Sequence, residues 1–477
     1  SGNGILMTNS TLKSDLFTKL VEALGDNAVT DGSEVAANRL VDWGSEEAEA
    51  ETPLAVVRPR NTEDVATAMR ICSDAGVSIV PQGGLTGLLG GANALSGSVV
   101  INVERMRAVL EIDPDAQTVT VEAGATLQAV QEAADAAGLL YPLDIGGRGS
   151  CTIGGNIATN AGGNRVLRYG MTRDLVLGLE AVLADGSVVT SMNKMLKNNT
   201  GYDWKQMFIG SEGTLGIVTR AVLKLFPKPL SVETCLCAVK EFDDILPLLA
   251  RARSVLSANL SAFEVMWERF YDVAVETHQP PPIEPGYAGY VLIESSGSDP
   301  VGDRAHFQSF LESCMEDGLI VDAMLPQSLS DVDTIWAIRD RSGEMVRDLR
   351  PLCNYDVSIE TSRIDAFTTD LQAHMCEEWP DVDMLCFGHL ADSNVHIFMR
   401  TSEAPFPKDR IDDRFYGFVR DWKGSISAEI GIGLQKRRFL SFSRSPEELA
   451  LMKRVKQALD PNNRMNPSKV FEPEPGV

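Results

Sequence analysis

The stretch Gly149-Ser-Cys-Thr-Ile-Gly-Gly-Asn-Ile-Ala-Thr-Asn-Ala-Gly-Gly163 decides how the rest of the chain is read. With Gly146-Gly-Arg148 before it, the segment holds seven glycines, interleaved with Ser150, Thr152, Asn156, Thr159 and Asn160. Glycine has no Cβ, so backbone N–H groups can approach an anion closely, and hydroxyl and amide side chains add neutral donors. A second loop, Gly83-Gly-Leu-Thr-Gly-Leu-Leu-Gly-Gly91, directly follows the strand-like Ser78–Val80. One such loop reads equally well as mobile surface. Two, with apolar residues between the glycines and β-structure between the loops, suit a long ligand carrying a diphosphate. A dinucleotide fold of the βαβ type does not fit, although Glu104 stands 20 residues after Gly84, where a ribose-binding acid would be sought. The next strand begins eight residues past Gly91, and a helical crossover needs roughly 10–12 residues. The P-loop pattern is absent.

Working outward, Leu54–Val57, a helix capped at Asn61 and stopped at Gly76, and Ser78–Val80 form one β-α-β unit. Strands follow at 99–103, 109–112 and 118–122, then a helix over 126–137. Beyond the glycine-rich stretch, Leu175–Leu183 and Ser187–Val189 flank Asp185-Gly186, a hairpin signal. A strand over 213–226 precedes the boundary marked by Pro227 and Pro229. From 231 the order strand, helix, strand, strand, helix, strand (through 319–324) predicts an antiparallel sheet covered by helices. Helices are expected at 329–349, 363–379, 409–422 and 447–459. The fold class is α+β, divided as 1–50 (a leader, Ser1–Leu6, and an N-terminal helical segment), 51–228, 229–425 and 426–477.

At 477 residues the chain exceeds a single core. Its formal charge of 43 − 67 = −24 opposes binding to nucleic acid or anionic membrane. No window supplies the roughly 18 apolar residues of a membrane helix, and the N-terminus lacks secretory-signal features. The eight cysteines show no C-x-x-C spacing and read as reduced thiols of a cytoplasmic protein, with Cys235 and Cys237 on one face of a strand.

Five histidines are present, two of them in Gly388-His-Leu-Ala-Asp-Ser-Asn-Val-His396 between strand-like runs. If Ala391–Asn394 is the loop of a hairpin, His389 pairs with His396 and both point to one face, about 5 Å apart at Cβ. Glu429, an acid within the apolar run 426–433, offers a third ligand. Two His and a carboxylate with an open position suit catalytic zinc or a similar divalent ion. Taken alone, a His pair on a hairpin is more often structural.

Pro81-Gln-Gly-Gly84, the 149–163 stretch, Asn199-Thr-Gly-Tyr-Asp203 and Phe208-Ile-Gly-Ser-Glu-Gly-Thr-Leu-Gly-Ile-Val218 together resemble the flavoproteins of the vanillyl-alcohol-oxidase fold. Within them they are most similar to the D-2-hydroxyglutarate dehydrogenase, D-lactate dehydrogenase and glycolate oxidase D-subunit group, over roughly residues 50–472. The resemblance implies a PCMH-type domain of two α+β subdomains holding non-covalent FAD, a cap over 229–425, and a tail that returns to the flavin. It assigns FAD contacts to Pro81, Gln82, Gly83, Gly84, Leu85, Thr86, Gly87 and Leu88 in the first loop. In the second it assigns Gly149, Ser150, Thr152, Gly154, Gly155, Asn156, Ala158, Thr159, Asn160, Gly162 and Gly163. Gly216, Ile217, Val218 and Asn466 complete the set. Leu85 departs from the family, where Asn is usual.

The resemblance also implies a divalent metal, zinc first, on His389, His396 and Glu429, holding a 2-hydroxy acid by its hydroxyl and carboxylate while flavin N5 takes the hydride. Arg339 matches a carboxylate-binding position and stands with the three ligands in the catalytic set. Four pocket positions depart from relatives specific for 2-hydroxyglutarate. Gly343 replaces a hydroxyl residue, Asn354 a Lys, Phe398 an Asn, and Ile430 the His presumed to act as base. A second carboxylate would lose its partners in such a pocket, so a more apolar D-2-hydroxy acid is expected. The competing readings are D-lactate or D-2-hydroxyglutarate with an atypical base, oxidation of a different alcohol, and a degenerate flavin-binding subunit. The electron acceptor is a quinone, a cytochrome or an electron-transfer flavoprotein, and a homodimer is the candidate assembly.

Overall fold

The computed structural model describes residues 9–473, so the leader at Ser1–Leu6 lies outside it. The chain is α+β, and its described residues form two compact units, one of 9–162, 171–228 and 430–473, the other of 163–170 and 229–429.

The first unit contains two main sheets. In the four-stranded one, Val99–Asn102 lies between Ala55–Val57 and Ile79–Gln82 and is parallel to both. The helix Thr62–Ala75 links the outer two. It is capped where the Asn61 side chain accepts from the Asp64 N–H, and it ends at Gly76 in the left-handed region (φ 69°). Val65, Ala68, Met69 and Cys72 recur at helical spacing and are buried. The strand Ile79–Gln82 reaches its parallel neighbour through the first glycine loop without a helix, as its spacing predicts. Glu104 is held by Arg58 at 2.8 Å and by Arg39, so it is an ion-pairing residue. The second sheet has five antiparallel strands, in the order Val109–Asp113, Thr118–Glu122, Ile217–Lys224, Val176–Val182, Val188–Ser191. The second glycine stretch contains a short helix, Ile153–Thr159, whose Ile153 and Ile157 are buried in the unit's core.

The second unit is built on a seven-stranded antiparallel sheet, in the order Asp322–Met324, Ser231–Val239, Gly289–Gly297, Leu260–Trp267, Asp383–Gly388, Asn394–Arg400, Cys353–Ser358. Side chains alternate between faces. With this register, Glu264, Met266, Phe387, His396, Phe398, Asn354 and Asp356 share one face.

Three expectations need correction. The helix over 329–349 is two helices, Leu329–Asp340 and Ser342–Asp348, with Arg341 between them. The strand at 319–324 is only Asp322–Met324, because Gly318 (φ 73°) and the turn after the helix Pro300–Glu316 use the residues before it. The first domain does not run unbroken from 51 to 228, because 163–170 packs with the second unit. Arg165 there makes a bidentate pair with buried Glu294 (Nε–Oε1 3.0 Å, Nη2–Oε2 3.1 Å), and Arg168 donates to the Ser296 carbonyl at 2.7 Å.

The Ser261 hydroxyl also donates to Glu294, at 2.7 Å. Replacing Arg165 by Ala removes the guanidinium and leaves a buried carboxylate. We expect a loss of about 3 kcal/mol in unfolding free energy, read from the denaturant midpoint. An unchanged midpoint would show that the pair contributes nothing.

Candidate active site

In the first unit the two glycine loops lie on each other. A Cβ at Gly83 would strike the Thr152 hydroxyl, and one at Gly84 the Ser150 carbonyl; at Gly154 it would come within 2.9 Å of the Ala123 Cβ, and at Gly216 within 2.7 Å of the Val182 carbonyl. These glycines permit backbone to pack on neighbouring structure, and thereby bring Pro81–Leu88 beside Gly149–Thr152. Thr152 caps the Ile153–Thr159 helix by accepting from the Gly155 N–H, and Asn160 ends it in the left-handed region (φ 50°). Leu85 is also left-handed (φ 58°). Asn tolerates that conformation and Leu does not, so the departure at 85 costs roughly 1–2 kcal/mol of backbone strain in addition to a polar group. The glycine framework fits a flavin.

The tail completes this surface. Met465 bridges Ile79 in parallel, extending the edge of the four-stranded sheet. Buried Asn466 donates through Nδ2 to the Gly91 carbonyl (3.0 Å) and to the Glu212 carbonyl (2.8 Å), joining the first loop to the turn before Gly216–Val218. Lys469 is buried beside it and donates to the Asn93 carbonyl at 2.8 Å. Burial pushes its ammonium down to about 8, against the pull of Asp42 and Glu212. Lys469 and Glu212 escaped the sequence reading, because nothing in their local pattern distinguishes a buried charge from a surface one.

In the second unit the side chains of His389, His396 and Glu429 converge, their ligand atoms all within 4.8 Å of one another. His396 Nε2 is 3.2 Å from Glu429 Oε1. The expected pairing of His389 with His396 is wrong by two residues: Phe387 stands opposite His396. The strands end at Gly388 and resume at Asn394, because Leu390–Asp392 forms a 3₁₀ turn closed by Ser393 (φ 73°). His389 therefore leaves the strand, yet an even-numbered shift keeps the residues on one side, and the imidazole centroids are 5.6 Å apart.

Two carboxylates missed in the sequence stand behind the histidines. Glu264 Oε1 lies 2.6 Å from His389 Nδ1, and its Oε2 accepts from Arg339 Nε at 2.8 Å. Burial alone would raise this carboxyl, but the facing His389 and Arg339 outweigh it and hold it at about 2. Burial likewise opposes the charge on His389, and Glu264 overrides this, raising the imidazole to about 9. Asp356 Oδ2 accepts from the N–H groups of Ala428 and Glu429, both at 3.0 Å, and Oδ1 accepts from Asn394 Nδ2 at 2.7 Å while lying 3.9 Å from His396 Nδ1. Both acids interrupt apolar strand-like runs, the signal that singled out Glu429. Asp392, in the turn, is raised to about 7, chiefly by burial and further by Glu264 and Glu429.

Arg339 is buried, with Nη2 3.2 Å from His389 Nε2 and its guanidinium 5.4 Å from the Phe387 ring centroid. Its Nη1 also reaches the exposed Asp340, at 3.4 Å from Oδ1. Phe398 is buried against Phe387 in an apolar cluster with Ile338, Met345 and Leu385. Asn354 is half-buried opposite Phe398. Gly343 is exposed, with open space where a Cβ would be, and Ile430 is half-buried.

Comparison with known proteins adds to this geometry. The FAD binding domain family matches residues 53–191, and the C-terminal domain of FAD linked oxidases matches 228–470. The fold is shared with an alkyldihydroxyacetonephosphate synthase (TM-score 0.75, 16% identity, 95% of this chain and 85% of that one) and with the 4-ethylphenol oxidase of Gulosibacter chungangensis (0.73, 19%, 99% of each). Fold and matches define an FAD-dependent oxidoreductase acting on CH–OH donors. A D-2-hydroxyglutarate dehydrogenase of Xanthomonas citri pv. viticola is 40% identical over 426 residues, 88% of this chain and 89% of that protein. The mitochondrial D-2-hydroxyglutarate dehydrogenase of Arabidopsis thaliana is 35% identical over 468 residues, 97% of this chain and 82% of that protein. The chain belongs to the D-2-hydroxyglutarate dehydrogenase family of FAD linked oxidases. Among the described residues no helix is long and apolar enough to cross a membrane.

The packing of the loops predicts that Gly84→Ala, which forces a Cβ into Ser150, yields folded protein with FAD affinity lowered at least about tenfold, since spreading the loops by even 1 Å misplaces every contact. Flavin fluorescence titration measures it; wild-type affinity would show that the loops can separate freely.

Proposed function

We propose that the protein oxidises a D-2-hydroxy acid to the 2-oxo acid, assisted by a divalent ion, zinc first, on His389, His396 and Glu429, and that it favours substrates more apolar than 2-hydroxyglutarate. The observation that carries the reading is the convergence of two imidazoles and a carboxylate within 4.8 Å, with the Arg339 guanidinium beside them. This donor set fits a catalytic metal with an open position, and the carboxylates behind both histidines are the usual companions of such ligands. Bound FAD supplies the hydride acceptor. A bound divalent ion lowers the pKa of a coordinated hydroxyl. Arg339 supplies the planar, bidentate partner for the substrate carboxylate. The relatives named for D-2-hydroxyglutarate support the hydroxy-acid class.

The substrate preference rests on Phe398 and Ile430. Phe398 lies two residues beyond His396 on the same strand, hence on the same face, and belongs to the aromatic cluster. A side chain ending in a second carboxylate finds an aromatic wall there, which disfavours it. Ile430 follows Glu429 directly and cannot accept a proton. The flavin domain lies within 51–228, apart from 163–170, with 229–425 as the cap and 426–477 as the returning tail. The eight unpaired cysteines support a reducing, cytoplasmic setting. A quinone, cytochrome or electron-transfer flavoprotein serves as acceptor.

The test is anaerobic bleaching of the flavin band by a panel of D-2-hydroxy acids, before and after chelation. Apolar acids should bleach faster than 2-hydroxyglutarate, and chelator should abolish the reaction. Phe398→Asn should shift the kcat/KM ratio towards 2-hydroxyglutarate by about tenfold, and Ile430→His should raise turnover by about 10². Bleaching that chelator leaves untouched would sink the metal reading. Wild type that prefers 2-hydroxyglutarate would instead support the second reading, the activity named for the relatives, with Phe398 outside the pocket.

A further inference from the structure

We infer that Glu264 is the positioning residue of this site, a single buried carboxylate that fixes both the tautomer of His389 and the placement of Arg339. The inference deepens the metal reading above and rests on it.

Glu264 is almost completely buried on the Leu260–Trp267 strand and uses its two oxygens for two different tasks. Oε1 faces His389 Nδ1 at 2.6 Å, and Oε2 accepts from Arg339 Nε at 2.8 Å. Glu264 Oε1 faces Nδ1, so once a metal displaces the proton on Nε2 the one ring proton left on His389 lies on Nδ1, donated to the carboxylate. Nε2 then carries the lone pair, and Nε2 is the nitrogen a metal on the same side as His396 and Glu429 would use. The same carboxylate holds the guanidinium through Nε, with Nη2 3.2 Å from His389 Nε2 and Nη1 3.4 Å from Asp340 Oδ1. The spacing between the metal ligand and the carboxylate-binding group is therefore set by the width of one carboxylate. In the protein interior such a charged, two-sided contact is stiff, because moving either partner leaves a buried charge unmatched.

Glutamine at 264 breaks the arrangement whichever way its amide is turned. With its oxygen towards His389, its NH2 opposes the Arg339 Nε–H. With its NH2 towards His389, the amide donates to Nδ1 and sends the ring proton to Nε2, where it blocks coordination. Glu294 provides the control: it is another buried carboxylate on the same sheet, bonded to Arg165 and Ser261, with no contact to the three ligands.

The experiment measures zinc affinity of the FAD-loaded protein by competition with a chromophoric chelator, for wild type, Glu264→Gln, Glu264→Asp and Glu294→Gln, alongside melting temperature and flavin content. Glu264→Gln should bind zinc about 10–100-fold more weakly than wild type. Glu264→Asp, whose carboxylate is one methylene short of spanning both partners, should lie between them and decides the question if the Gln variant is insoluble. Glu294→Gln should lower the melting temperature and leave zinc affinity unchanged. Wild-type zinc affinity in the folded Glu264 variants overturns the inference while the metal reading survives. Equal losses in the Glu264 and Glu294 variants also overturn it, since the effect would then be one of general stability. A wild-type protein that binds no zinc overturns the metal reading and this inference together.

Discussion

Two buried carboxylates, Glu264 and Asp356, are the constraint around which the second unit is organised. Removing a carboxylate from water costs several kcal/mol unless opposite charge and hydrogen bonds replace the lost solvation. Here the replacements are functional groups. Glu264 takes His389 and Arg339; Asp356 takes the backbone at 428–429 and the side chain of Asn394, and lies close to His396. Since these groups come from the hairpin, a helix and the segment that delivers Glu429, the acids, themselves on two further strands, dictate where these three pieces of chain meet. The antiparallel ladder makes this possible. Its period of two puts Glu264, His396 and Asp356 on one face, with the strand of Phe387 lying between those of Glu264 and His396 and Phe398 beside His396.

The first unit solves a different problem, keeping two loops in contact without side chains intervening. Glycine at 83, 84, 154 and 216 lets main chain meet neighbouring atoms at distances no Cβ would permit. The loops gain rigidity from this closeness and from the capping of the short helix within the second of them. The left-handed Leu85 shows how strongly the surroundings dictate the loop's path, since the residue holds a conformation it disfavours by itself.

Local chemistry made much of this readable from residues alone. The helix over 62–75 announced both its ends through Asn61 and Gly76, and the absence of a helix after the first glycine loop followed from simple reach. The His389, His396, Glu429 set stood out as histidines and an acid within apolar runs, although the His pair alone reads as structural and the metal role came from the family resemblance. The register of the hairpin was not readable, since it depended on whether Ala391–Asn394 formed a tight turn or part of a wider 3₁₀ turn, a matter of one residue's φ at Ser393. The attachment of 163–170 to the second unit was equally hidden. Arg165 and Glu294 are 129 residues apart, and no pattern in either neighbourhood names the other. Glu264 and Asp356 lay between these cases: visible as acids in strands, but meaningful only once the sheet order set them behind the histidines.

The bond from Asn466 to the Gly91 carbonyl joins residues 375 positions apart. On the ribosome, the first glycine loop emerges long before the residues that fasten it, and all of 229–429 is synthesised in the interval. The first glycine loop thus cannot be fastened until residue 466 has been made. Until the tail arrives, the edge of the four-stranded sheet at Ile79 has an unpaired backbone, open to pairing with another nascent chain. Loss of the few residues around Met465 would therefore release the first glycine loop and the edge of the four-stranded sheet together.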